Sequence, residues 1–139
     1  MADLTGKPWM GAGETDDPKA IIETFEAAAA ITKGDPVYLS ADDKVSPATS
    51  AQDCIGIALK SVSAGQPCPV LVRGRVKVVA GGAITRGKAV YGADSSKRVL
   101  ALADINEAGS ATHSWTRKLG WALESASAAG DLIFIYVDK

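Results

Sequence analysis

The segment at residues 82–88, GAITRGK, satisfies most of the GxxxxGK[ST] pattern, in which backbone amides cradle a phosphate and the last hydroxyl holds magnesium. The next position is Ala89, which has no hydroxyl, and the chain runs on as Ala-Val-Tyr-Gly. That is a strand and a turn, not the helix whose positive end should face the phosphate. His113 is the only histidine, set among Ser and Thr without a nucleophile elbow, so no triad assembles around it by spacing. Cys54 and Cys68 lie in separate apolar runs with no CxxC pattern, which reads as buried thiols. One histidine, two separated cysteines and scattered carboxylates make no recognisable metal-ligand spacing. The adjacent pairs Asp16-Asp17 and Asp42-Asp43 fall in turn or tail composition, where solvation and turn hydrogen bonding account for them. Acid–base catalysis needs carboxylates facing each other across a cleft. The chemistry-bearing residues therefore predict no enzyme, no metal and no cofactor.

The phosphate-like loop has a twin. Residues 30–38 read AITKGDPVY and residues 83–91 read AITRGKAVY, identical at six of nine positions at a shift of 53. Asp35 stands in the first copy where Lys88 stands in the second, so the shared glycine is a turn requirement rather than a ligand feature. A second pair follows in the same order: IGIALKSVSA at 55–64 and LGWALESASA at 119–128, at a shift of 64. The shifts differ by 11, which places an insertion in the second copy within residues 103–116. The repeat spans about residues 22–72 and 75–137.

Each copy puts Gly before a short Val/Tyr run, then turn formers, a return strand, the [IL]-G-x-A-L block, an Ala/Ser/Gly turn and a strongly apolar strand. Short β-branched runs bounded by turn residues predict hairpins, and two such copies predict an all-β barrel or sandwich closing around one core. Residues 17–34 conflict locally with this, since DPKAIIETFEAAAAITKG has an N-cap, proline at the first helical position and a terminal glycine. At the 53-residue shift, however, residues 22–30 fall on RVKVVAGGA. Tertiary context overrides propensity, so a strand is expected over residues 22–27.

At 139 residues the chain is about one domain long. Its 15 basic and 16 acidic residues nearly cancel, which speaks against nonspecific binding to nucleic acid or an anionic membrane. No apolar run approaches the roughly 20 residues of a membrane helix, and the first 20 residues lack a basic segment followed by an apolar one, so a soluble, unexported chain is expected. The division read from the sequence is an extended N-terminal arm, 1–20, and a barrel-like domain, 21–139.

Three features remain as surfaces. In residues 72–78, VRGRVKV, alternation puts Arg73, Arg75 and Lys77 on one strand face, a basic stripe suited to an acidic partner surface. The leader is rich in Gly, Pro, Asp and Lys, yet carries Pro8, Trp9 and Met10, and a large aromatic there suits an arm that orders on a partner. Trp115 lies in the insertion and Trp121 replaces Ile57 of the first copy, where a core position is expected.

The series A-I-T-x-G-[DK]-x-V-Y, polar hairpin, [IL]-G-x-A-L, S-A-G turn and closing V-x-V strand resembles the capsid decoration, or cement, proteins of tailed bacteriophages, over about residues 22–139. The resemblance implies a β-barrel or β-tulip domain on the outside of an icosahedral head, commonly a homotrimer, that clamps adjacent major capsid subunits and stabilises the shell. It implies location on the capsid exterior of the virion, after assembly in the host cytoplasm. Trp9, Met10 and Pro8 of the arm, with Arg73, Arg75 and Lys77, are then the expected capsid contacts. The alternative is a small glycan-binding or host-adhesion domain using Trp115 and His113 as its platform.

Overall fold

The computed structural model describes residues 9–50, 52–102, 105–107, 110–112 and 118–139, with 105–107 and 110–112 as backbone. The repeated turn shows why both copies keep their glycine. Gly34 and Gly87 sit at φ +96° and +86°, in the left-handed region. The chain reverses there, so that the N–H of Asp35 donates to Thr32 O at 3.0 Å and that of Lys88 to Thr85 O at 3.1 Å.

The described residues form eleven strands in order: β1 (Ile21–Ala27), β2 (Pro36–Ala41), β3 (Lys44–Pro47), β4 (Cys54–Ala58), β5 (Pro67–Val79), β6 (Ala89–Gly92), β7 (Val99–Ala101), β8 (Ile105–Glu107), β9 (Ser110–Thr112), β10 (Lys118–Ala122) and β11 (Leu132–Asp138). The fold is all-β, as the repeat predicts. The strand expected over residues 22–27 is β1, despite its helical propensity. β8 and β9 form a separate two-stranded hairpin within the expected insertion.

Two related rings of strands share β5. In the first, β1 pairs with β3 in parallel, and β3–β2, β2–β4, β4–β5 and β5–β1 are antiparallel, which closes a five-stranded barrel. In the second, the far half of β5 pairs with β11, then β11–β10, β10–β6 and β6–β7 follow, and a parallel bridge from Ala80 to Val99 returns to the end of β5. The bridge corresponds to the β1–β3 pair of Ala27 with Val45. Bridges Ile31–Val62 and Ile84–Ala126 match in the same way.

Inside each ring the pleat turns small β-branched residues inward. Val37, Val45 and Val70 fill the first, and their counterparts Val90, Val99 and Ile135 fill the second, all fully buried. The glycine of [IL]-G-x-A-L marks a close backbone approach. A Cβ on Gly56 would stand 2.2 Å from Leu71 O, and one on Gly120 1.8 Å from Tyr136 O.

The two rings are not used alike. Ile57 and Leu71, fully buried, join the second ring's core cluster, so the outer face of the first ring is the junction between halves. At about 2 kcal/mol for each such side chain removed from water, this junction contributes a substantial part of a domain's net stability. The copy-two counterparts, Trp121 and Tyr136, are only half-buried and stack on each other with ring centroids 5.3 Å apart. The core position expected for Trp121 is thus corrected: the same sequence position faces inward to the junction in one copy and outward in the other.

Candidate functional site

Four amides of the phosphate-like loop, those of Ile84, Arg86, Gly87 and Lys88, are bonded within the chain. The amide of Arg86 donates to Ser125 Oγ at 2.9 Å, that of Gly87 to Ala122 O at 2.7 Å, and that of Lys88 to Thr85 O. The twin loop repeats the pattern, Lys33 N–H to Ser61 Oγ at 2.9 Å and Gly34 N–H to Ala58 O at 2.8 Å. Amides already bonded internally cannot converge on a phosphate. The loop is scaffold.

The two thiols are free and buried. Burial pushes Cys54 up to about 12, and its S–H lies 3.3 Å from Gly92 O, so it is a packed thiol at the junction of the halves rather than a nucleophile. Burial likewise raises Cys68. Among the described residues no group of three or more His, Cys, Asp or Glu could hold a metal ion, and no helix is long and apolar enough to cross a membrane. His113, Trp115 and Pro8 lie outside the described residues.

The most elaborated surface is where the leader meets β5. β11 occupies one edge of β5 at residues 73–79. On the other edge, Gly13 donates its N–H to Lys77 O at 2.7 Å, and Lys77 returns its own N–H to Glu14 O at 2.9 Å. The Thr15 hydroxyl donates to Arg75 O, and Asp17 Oδ2 accepts the Arg75 N–H at 3.1 Å. The Asp16 carboxylate takes both Nη2 and Nε of Arg75, at 2.8 and 3.2 Å. Glu14 reaches Lys33 at 3.2 Å.

The electrostatics agree with this docking. The N–H of Lys19, and then that of Arg75, hold Asp17 below the ordinary carboxylate range. Glu14 is held down by the N–H of Gly11, and then by Lys33.

The basic stripe is therefore largely consumed within the chain. Lys77 is buried at 3% exposure, with Nζ 3.6 Å from Glu124 Oε1 and 4.6 Å from the centre of the Phe134 ring. Arg75 packs over the same ring at 5.0 Å. Arg73 remains exposed and pairs with Asp138 at 2.8 Å. The alternation rule places the three on one face but says nothing of what covers it. Asp16 and Asp17, expected to be solvated or local turn residues, bind Arg75 across the fold. The one signal in the sequence was the match of an acidic leader to a basic strand.

At the start of the described leader Trp9 is 75% exposed, while Met10 next to it is buried. Beside Lys77 a cleft of about 400 Å³ is lined by Arg86, Leu123, Glu124, Ser125, Leu132 and Ile133. Glu124 there also accepts the Phe134 N–H at 2.8 Å, and Ser125 Oγ accepts the backbone N–H of Arg86, so these two side chains are tied to the scaffold.

The described residues thus form a double β-ring with a leader pinned on β5 and an exposed tryptophan ahead of it. A family profile described as phage cement protein matches residues 48–138, well over half of the chain. The chain belongs to the phage cement protein family. As a cement protein it is a capsid-associated structural component of the virion. No curated protein matches the chain. Among solved structures, the N base of head fiber gp8.5 of bacteriophage phi29 matches with a TM-score of 0.59 at 17% identity, over 86% of this chain and 94% of that one. At that identity the likeness is one of fold. The cement protein is thus built on a β-fold also found in a phage head fiber.

Proposed function

We propose that this cement protein binds the outside of an icosahedral head as a homotrimer and clamps adjacent major capsid subunits after assembly in the host cytoplasm. The observation that carries the reading is the leader: residues 13–17 are bonded to β5, yet Trp9, a few residues ahead, stays 75% exposed. An indole held out by an anchored segment provides large contact area at low ordering cost. Trp9 with Pro8 forms the primary contact and Arg73 a secondary one, while Met10, Arg75 and Lys77 fix the leader. Residues 1–20 thus act as an arm whose root is part of the barrel. Three-fold repetition on a shell multiplies modest contacts through effective concentration.

The test uses expanded heads of the cognate phage. Wild-type protein is expected to co-sediment with them and raise their disruption temperature, and to have a solution mass near three times 14.3 kDa. Trp9→Ala is expected to bind at least about tenfold more weakly without a change in its own melting temperature. Heads that neither bind the protein nor gain stability would refute the proposal.

A further inference from the structure

Arg75 and Lys77 correspond, at the 53-residue shift, to Ile22 and Thr24 of β1. In the second copy the peptide groups of Arg75 and Lys77 are closed by the leader. In the first copy no described residue pairs with the equivalent edge at Ile22 and Thr24. The contacts of β1 set the direction of its peptide groups: Ala27 donates to Gln66 on the β5 side, whereas Glu26 and Ala28 donate to Asp43 and Val45 on the β3 side. Counting back by twos, Thr24 and Ile22 turn their N–H and C=O away from β5. Pro69, opposite Thr24, has no N–H to give, in keeping with that alternation. Within β1, β3 pairs only with Glu26 and Ala27, so it does not reach Thr24 or Ile22. Beside these groups Ile21 and Ile22 are 46% and 47% exposed, an apolar strand edge of the kind natural proteins cover.

Charge decides which occupant fits. The leader brings the Asp16 carboxylate to the Arg75 guanidinium and docks Thr15 and Asp17 on the Arg75 peptide groups, but β1 offers Ile22 and Thr24 with acidic Glu23 and Glu26 alongside. Glu26 is paired with Lys44 at 3.4 Å, and Glu23 makes no ion pair among the described residues. A second acidic leader is repelled there; an apolar, basic strand is attracted.

We propose that the outer edge of β1 receives an extended segment of the shell subunit, bonded through the peptide groups of Ile22 and Thr24, with apolar side chains over Ile21 and Ile22 and a basic one at Glu23. This rests on the capsid reading above, and it gives that reading a defined β-strand addition.

Hydrogen exchange of residues 21–26 in the wild-type chain, free and bound to expanded cognate heads, tests it. The amides of Ile22 and Thr24 are expected to exchange freely alone and at least about tenfold more slowly on the head, once a strand hydrogen-bonds them. Thr24→Pro removes an outward N–H and breaks no internal bond; it is expected to bind heads about tenfold more weakly, the equivalent of about 1.4 kcal/mol, with its melting temperature retained. Unchanged exchange on heads that do bind the protein overturns the edge assignment and leaves the capsid reading standing. Wild-type protein that fails to bind heads overturns both. Protection that appears in the free chain and grows with its concentration gives the edge to a second copy and overturns the shell partner. Should Thr24→Pro not fold, the wild-type exchange measurement decides alone.

Discussion

Asp35 and Lys77 are the charged side chains most completely buried among the described residues, and they are stabilised differently. Lys77 has Glu124 and an aromatic face. Asp35 accepts the N–H of Thr32 at 2.9 Å, while Lys97 stands 3.9 Å away, and burial outweighs both and raises its pKa above the ordinary 3.8. A carboxyl with a raised folded pKa binds its proton more readily in the native state, so its ionised form costs stability. That cost is complete above the folded pKa and fades as pH falls from there towards 3.8. Asp35→Asn keeps an acceptor for Thr32 and is expected to melt above wild type at pH 7, with the gain vanishing in acid. Asp131 provides the opposite sign. The N–H groups of Ser127 and Ala128 hold it below 3.8, so its stabilisation is present above that value and is lost as pH falls through the lowered one. Asp131→Ala is therefore expected to melt below wild type at pH 7 and to converge with it in acid. Thermal melts from pH 2.5 to 7.5 compare the two, and parallel curves for either variant would contradict its assignment.

At the scale of elements, the leader acts as an extra strand segment for β5. Loss of two of its bonds should be local in exchange and measurable in stability. Thr15→Val with Asp17→Ala removes the hydroxyl that bonds Arg75 O and the carboxylate that caps the Arg75 N–H. The variant also strips the Asp17 and Lys19 amides of their acceptors on Thr15 and Asp17, so at about 1 kcal/mol per bond it is expected to lose about 2–4 kcal/mol in chemical denaturation. The amide of Arg75, which loses its Asp17 acceptor, should exchange faster, while those bonded across β5 and β11 stay protected. Equal loss of protection across β5 would mean that the leader supports the whole strand rather than one edge. The strand nature of β1 was legible because its residues align with RVKVV of the other copy, which outweighs helical propensity. The docking of the leader was not legible, because residues 13–17 lie about sixty positions from their partners and the same acidic residues fit a solvated turn equally well. Nor does the block [IL]-G-x-A-L say which copy turns its outer face to the junction; Ile57 and Trp121 answer that only through packing.

For the whole molecule, the two copies invite the expectation that each half folds by itself, as stacked repeats can. The shared strand argues otherwise. Residues 67–73 of β5 close the first ring and residues 73–79 carry the second, so neither half owns a complete set of strands. Ile57 and Leu71 hang from the first ring but lie fully buried in the second ring's cluster, and Cys54 bonds to Gly92 across the same junction. Pulling one half away would bare these side chains at about 2 kcal/mol each before any hydrogen bond is counted. Calorimetry is therefore expected to show one transition with equal calorimetric and van't Hoff enthalpies. Leu71→Ala, which opens a cavity at the junction, is expected to lower that single transition by about 2–5 kcal/mol without dividing it. Two resolved transitions in the wild type, or a split produced by Leu71→Ala, would mean that the rings are independent units tethered by β5. A single transition would make the leader docked on β5, the β1 edge and both rings one mechanical body, so that a load applied at either of the two proposed contacts would be borne by the entire core.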